Sequence, residues 1–239
     1  MRIAGGVEMI ELSIQGYVLH PTFVWNEKEA VLIDVGMPGQ WEAIRMAMCK
    51  VGVSLDKVKA IILTHQDIDH IGSLPEILQA FSHQIDVYAH ELDKPYIEGD
   101  LPLIKTDVSR MSKEEKEALP ESMRTLYENP PKAKVNKILT DGEELPFCGG
   151  IQVIASPGHT PGHCSLYIKQ SKTLVAGDAM VCAGGTLRGP VEQTTLDMDM
   201  AFQSVKKFLL FDIESVICYH GGLCNTNIQE QLVKLTAFA

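Results

Sequence analysis

Short apolar runs, many alternating with polar residues, dominate this chain, and helical spacing is confined to a few segments. Residues 8–15, 17–25 and 29–35 are rich in β-branched side chains. Gly16 and the polar Asn26-Glu27-Lys28 separate them, which predicts three strands. Residues 40–50 place Trp41, Ile44, Ala47 and Met48 on one helical face, closed by Gly52. Residues 58–64 read as a buried strand. Ser73-Leu74-Pro75-Glu76 has the form of a capping box with proline in the first turn, so a helix is expected to run to about Phe81. A short strand follows at 87–90.

Between residues 91 and 137 the pattern is lost. The segment KEEKEALPESMRTLYENPPKAK is charged, contains proline and shows weak helix. It reads either as a solvated excursion or as a lid beside a site. Strands return at 137–140, 144–147, 151–155, 164–168 and 173–176, then a helix at 198–210, a strand at 215–219 and a last helix from about Thr226. This order suggests sheets with helices packed outside, in one domain spanning 1–239. It does not suggest a parallel dinucleotide-binding sheet, since no G-x-G-x-x-G follows the first strand.

The chain has 239 residues, 45% of them hydrophobic, enough for a large core. Its formal net charge of −10 argues against nucleic acid as a partner. We read no signal peptide in MRIAGGVEMIELSIQG and no run long enough to span a membrane. The six cysteines form no C-x-x-C pair and read as reduced thiols of a cytoplasmic protein.

The chemistry lies in a phase relation. Four apolar runs end in a metal-ligand residue: AIILTH65, VIASPGH159, LVAGD178 and VICYH220. Of the eight histidines, His65, His70, His159, His163 and His220 sit at or just after such ends. Singly, each has a bland explanation: Asp67 and Asp69 suit a helix N-terminus, and SPGHTPGH suits a turn. Together they require four coincidences of residue type and phase.

With these motifs in order, the chain resembles the metallo-β-lactamase-fold superfamily of binuclear metallohydrolases. The signposts are Asp34 in VLIDVG, THQDIDH at 64–70, the Gly158-His159 pair, Gly177-Asp178, and His220 in YHGG. The resemblance implies an α/β fold, a four-layer αββα sandwich of two mixed sheets. It implies two divalent metal ions per chain, zinc foremost, with iron or manganese as options. One would take His65, Asp67 and His159; the other would take Asp69, His70 and His220, with Asp178 bridging. Asp34 and His163 would orient the ligands from behind.

The departure is Asp67, where the family has histidine. It could abolish one site, keep it with an oxygen ligand, or be compensated by His163. We favour the second, because carboxylates bind Zn²⁺, Fe and Mn²⁺ and every other ligand position is filled. Three aspartates and a bridging hydroxide would then balance two divalent ions, giving a neutral cluster and a weaker Lewis acid than the histidine version.

The implied activity is hydrolysis by a metal-bridging hydroxide of a small-molecule ester, lactone, thioester or amide, with Asp69 orienting the water and moving its proton. SPGHTPGH resembles the glyoxalase-II type, but only 19 residues follow His220, too few for that family's basic C-terminal domain. Arg188, in the 182–192 loop, is a candidate substrate anchor. The alternatives are a one-metal or non-catalytic sensor on the same framework and a redox di-iron protein.

Overall fold

The computed structural model describes residues 1–14 and 16–237. Two sheets lie face to face. The first has seven strands in the order Arg2–Ala4, Val7–Met9, Thr22–Trp25, Ala30–Ile33, Val58–Ile62, Asp86–His90 and Lys137–Leu139. Its strands pair antiparallel as far as Ala30–Ile33 and parallel from there on. The second has six: Glu144–Leu145, Ile151–Ala155, Cys164–Ile168, Thr173–Gly177, Ser215–Cys218 and Gly222–Cys224. Only Thr173–Gly177 and Ser215–Cys218 pair in parallel there.

Strand periodicity explains the layering, since successive side chains point to opposite faces. Val31, Ile33, Ala60 and Ile62 point from the first sheet into a core shared with Val153, Leu166, Val175 and Ile217 of the second. Their neighbours Leu32 and Ile61 face outward, onto Ile44 and Met48 of helix Trp41–Lys50 and Leu74 and Ile77 of helix Leu74–Ala80. On the far side Leu174, Ala176 and Val216 meet Val205 of helix Met198–Lys207 and Leu232 of helix Ile228–Thr236. Helix, sheet, sheet and helix therefore stack as expected.

Several local expectations are corrected. The strand expected at 17–25 is two elements: Tyr17–Leu19 pairs with Leu12–Ile14 in a separate hairpin, while Thr22–Trp25 joins the main sheet. Pro21, which has no N–H to donate, sits at the break. The strand expected at 8–15 divides likewise, and Gln15 lies outside the described residues. Ser73 and Glu76 form no capping box. Ser73 Oγ donates to Met37 O at 2.6 Å and accepts from Gln40 N at 3.0 Å, and Glu76 accepts from Gly39 N at 3.0 Å. Both residues pin the loop that follows Asp34.

The 91–137 segment carries helices Lys94–Ile97, Lys113–Ala118 and Glu121–Glu128, the second with a true capping box between Ser112 and Glu115. Among the described residues no helix is long and apolar enough to cross a membrane. All six cysteines are free, five of them buried.

Candidate metal centre

Parallel neighbours end at the same edge, and that is why the site forms where it does. Ala30–Ile33 runs into Asp34, Val58–Ile62 into His65, Thr173–Gly177 into Asp178 and Ser215–Cys218 into His220. The sheets are stitched together here, with Cys164 N donating to Thr64 O at 2.9 Å.

Two groups of ligand atoms result. His65, Asp67, His159 and Asp178 form one, and Asp69, His70 and His220 the other, each with its atoms within 4.8 Å of one another. Asp67 Oδ2 lies 3.3 Å from His65 Nε2 and 3.1 Å from His159 Nε2. Asp69 Oδ2 lies 3.3 Å from His220 Nε2. Asp178 stands between the groups: Oδ2 is 3.2 Å from His159 and 3.4 Å from His220, and Oδ1 is 3.4 Å from His70. Although buried, His65 Nε2, His70 Nε2 and Asp178 Oδ1 have no hydrogen-bond partner among the described residues. Orphaned polar atoms within these two ligand groups fit bound cations.

The residues behind the ligands set their tautomers. His70 Nδ1 donates to Asp34 Oδ2 at 2.9 Å, which turns Nε2 toward the ligand group. The same carboxylate accepts from Thr64 Oγ1 and from Thr64 N, both at 2.8 Å. Because the Thr64 hydroxyl is spent on Asp34, it accepts from His65 Nδ1 at 3.0 Å, freeing the Nε2 of His65. Asp34 adopts a positive φ of 58°, a conformation aspartate tolerates better than most residues. His163 is oriented the other way. Its Nε2 accepts from Asp178 N at 2.9 Å, so its lone pair is committed to placing Asp178. Gly177 must be glycine here, since a Cβ would stand 2.6 Å from that nitrogen.

The charges agree with these roles. Burial, reinforced by His159, depresses His163 to about 3 and keeps it neutral. Burial also pulls His65 well below the ordinary histidine range, with His70 adding to the effect. His70 is raised well above it: burial opposes, but Asp69, Asp178 and Asp34 outweigh burial. For Asp67, burial pushes upward, yet the neighbouring His65 and His159 rings and the Lys105 ammonium outweigh it and hold the carboxyl well below the carboxylate range.

Three residues were not legible in the sequence. Lys105 Nζ reaches from the 91–137 segment to within 2.6 Å of both Asp67 Oδ2 and His159 Nε2. Asp93, fully buried, accepts from Gln66 N, Thr160 Oγ1 and Gly162 N at 2.8–3.0 Å, tying the two ligand loops together. The Tyr219 hydroxyl donates to Asp69 O and accepts from Gly36 N. Beside the ligands a cavity of about 280 Å³ is bounded by Asp67, Asp69, Leu103, Lys105 and Tyr127. A second of about 210 Å³ is walled by Ile14, Tyr17, Leu19 and His220, and shares Met37, Asp69 and Met123 with the first. Arg188 lines neither: it is exposed on a hairpin strand, Thr186–Arg188, paired with Val181–Ala183.

The metallo-beta-lactamase superfamily model matches residues 20–220, which include every candidate ligand position. The chain belongs to this superfamily. Among relatives of this metallo-β-lactamase superfamily protein, the probable metallo-hydrolase YflN of Bacillus subtilis strain 168 is 32% identical over 223 residues, covering 86% of this chain and 80% of that one. A hydroxyacylglutathione hydrolase of Hamiltonella defensa is 24% identical over 84% of this chain and 62% of its own length. The fold matches that of the family protein TTHA1429 from Thermus thermophilus with a TM-score of 0.74, over 99% of this chain and 80% of that one, at 20% identity. At family level the chain stands among metal-dependent hydrolases.

Proposed function

We propose that the protein hydrolyses a small ester, lactone, thioester or amide using two divalent ions, one held by His65, Asp67 and His159 and one by Asp69, His70 and His220, with Asp178 between them. The observation that carries this reading is that His65 Nε2, His70 Nε2 and Asp178 Oδ1, buried within the two ligand groups, lack hydrogen-bond partners among the described residues. Burying such atoms unmatched costs about 1–3 kcal/mol each, and a cation satisfies imidazole lone pairs and carboxylates together. The donor set suits Zn²⁺, and its three carboxylates also admit Fe²⁺ or Mn²⁺.

When bound, such a pair of ions supplies a water of lowered pKa and a Lewis acid for the electrophile's oxygen. The rest falls to the chain. Asp34 and Thr64 hold His70 and His65 with their Nε2 atoms facing inward. Asp69 borders both cavities and is placed to take a proton from a reacting water and deliver it to a leaving group. Met37, Leu103, Met123 and Tyr127 offer an apolar wall, which favours a substrate with a hydrocarbon body over a highly charged one.

A panel of chromogenic esters, lactones and thioesters tests the reading. At least one class should be turned over, with activity lost on chelation, restored by Zn²⁺ or Mn²⁺, and cut about 10²-fold or more in Asp69→Asn. Activity that survives complete chelation would contradict it. One observation favours the one-ion alternative: Lys105 sits on two ligands of the first group.

A further inference from the structure

Lys105 holds the lone pair that a metal would need. An ammonium has donors only, and a neutral imidazole has a single in-plane lone pair, on its unprotonated nitrogen. At 2.6 Å from Lys105 Nζ, His159 Nε2 must therefore be the acceptor. The other ammonium contact, 2.6 Å to Asp67 Oδ2, uses the oxygen that faces both His65 and His159. Lys105 thus occupies the side of the first group from which an ion would be coordinated. It does so under cover, with 17% of its side chain exposed against 16% for Asp67.

The placement is built in. Ile104 N donates to Gln66 Oε1 at 3.0 Å, and Gln66 N donates to Asp93 Oδ2 at 3.0 Å. Gln66 lies between His65 and Asp67, so the loop that carries Lys105 is tied to the loop that carries the ligands. The second group differs. Among the described residues, the ion pairs of Asp69 are to His70 and His220, with no lysine or arginine.

We propose that the Lys105 ammonium and a divalent ion at the His65–Asp67–His159–Asp178 group exclude one another on His159, so that Lys105 lowers the affinity of this one site for metal. In the ion's absence Lys105 neutralises Asp67. When an ion takes the His159 lone pair, the flexible lysine stem withdraws toward the cavity bounded by Leu103, Thr106 and Tyr127. The two sites then differ in how readily they lose metal, although both rest on similar ligands. Exclusion of this kind rests on the reading that the cluster binds metal, and the two claims fail in different ways below.

Stepwise Zn²⁺ affinities are measured on metal-free full-length protein by competition with a chromophoric chelator. His159→Ala identifies which binding step belongs to the first group. Lys105→Met, which keeps the stem and removes the charge, should tighten that step by about tenfold or more and leave the other step within about twofold. Lys105→Arg, which keeps the charge, should not tighten it. An unchanged or weakened first step in Lys105→Met overturns the proposal. A wild type that binds no Zn²⁺ at either step overturns the metal reading itself. Limited acetylation of wild type, read by mass spectrometry, needs no variant: Zn²⁺ should raise the reactivity of Lys105 and leave the other lysines unchanged. Equal Lys105 reactivity with and without Zn²⁺ contradicts the exclusion.

Discussion

Asp34→Asn is the sharpest perturbation of the ligand framework. The side chain keeps its shape, and asparagine accepts a positive φ such as the 58° seen here at least as readily as aspartate. What changes is hydrogen-bond polarity. Asp34 accepts three hydrogen bonds, from Thr64 N, Thr64 Oγ1 and His70 Nδ1, and it is 1% exposed. An amide has only one oxygen. If that oxygen faces Thr64 Oγ1 and His70, the NH₂ meets Thr64 N; if it faces Thr64 N, the NH₂ meets the other two donors. Either orientation leaves at least one buried donor unmatched, at about 1–3 kcal/mol, and removes the charge assistance from the others. We therefore expect a loss of about 2–4 kcal/mol in urea unfolding of the metal-free protein. Because His70 loses the partner that fixes its tautomer, metal affinity should fall about 10–100-fold. A variant within about 0.5 kcal/mol of wild type, with unchanged metal affinity, would refute the role assigned to Asp34.

Four further outcomes follow from the same geometry. In the metal-free protein burial pulls His220 down, but hydrogen bonds to Asp178 and Asp69 outweigh this and hold it up at about 10. His220 is therefore protonated at neutral pH, so metal must displace its proton, and affinity for the second group should rise with pH by up to about tenfold per unit. Calorimetry in buffers of different ionisation enthalpy will show this release, and its absence contradicts the assigned charge states. By the same linkage, the raised His220 stabilises the metal-free fold fully below about 6.5, an effect lost as pH rises through about 10. Gly177→Ala, with its Cβ 2.6 Å from His163 Nε2 at a φ of +56°, should cost about 2–4 kcal/mol in urea unfolding. Arg188→Ala should change kcat/KM less than about twofold, because this solvated arginine at the end of a hairpin strand touches neither cavity.

The layers and the ligand edge were legible because both rest on local pattern. Runs such as Ala60-Ile61-Ile62-Leu63 announce a buried strand, and the ligand types at their ends share one phase. Elements three residues long, such as Val181–Ala183 and Gly222–Cys224, are too short to show a period. The capping-box reading at Ser73 failed because the loop at 36–40 offers both side chains a tertiary partner. Asp93 directly precedes helix Lys94–Ile97, but its carboxylate does not cap that helix and turns instead to Gln66, Thr160 and Gly162, partners distant in sequence. Lys105 is 38 positions from Asp67, and no spacing rule reaches that far. The only trace of it was the apolar Leu101-Pro102-Leu103-Ile104 inside an otherwise polar segment. Its charge matters for the cluster. With the first group empty, its ammonium stands against Asp67 and supplies positive charge where an ion would otherwise supply it.

Elemental analysis of protein purified without added metal or chelator, normalised to chain concentration, tests the two-ion reading most directly. It should return about two ions per chain of zinc, iron or manganese, falling to about one in His159→Ala and in His220→Ala. Protein that arrives without metal and takes up none from added Zn²⁺ or Mn²⁺ would contradict it.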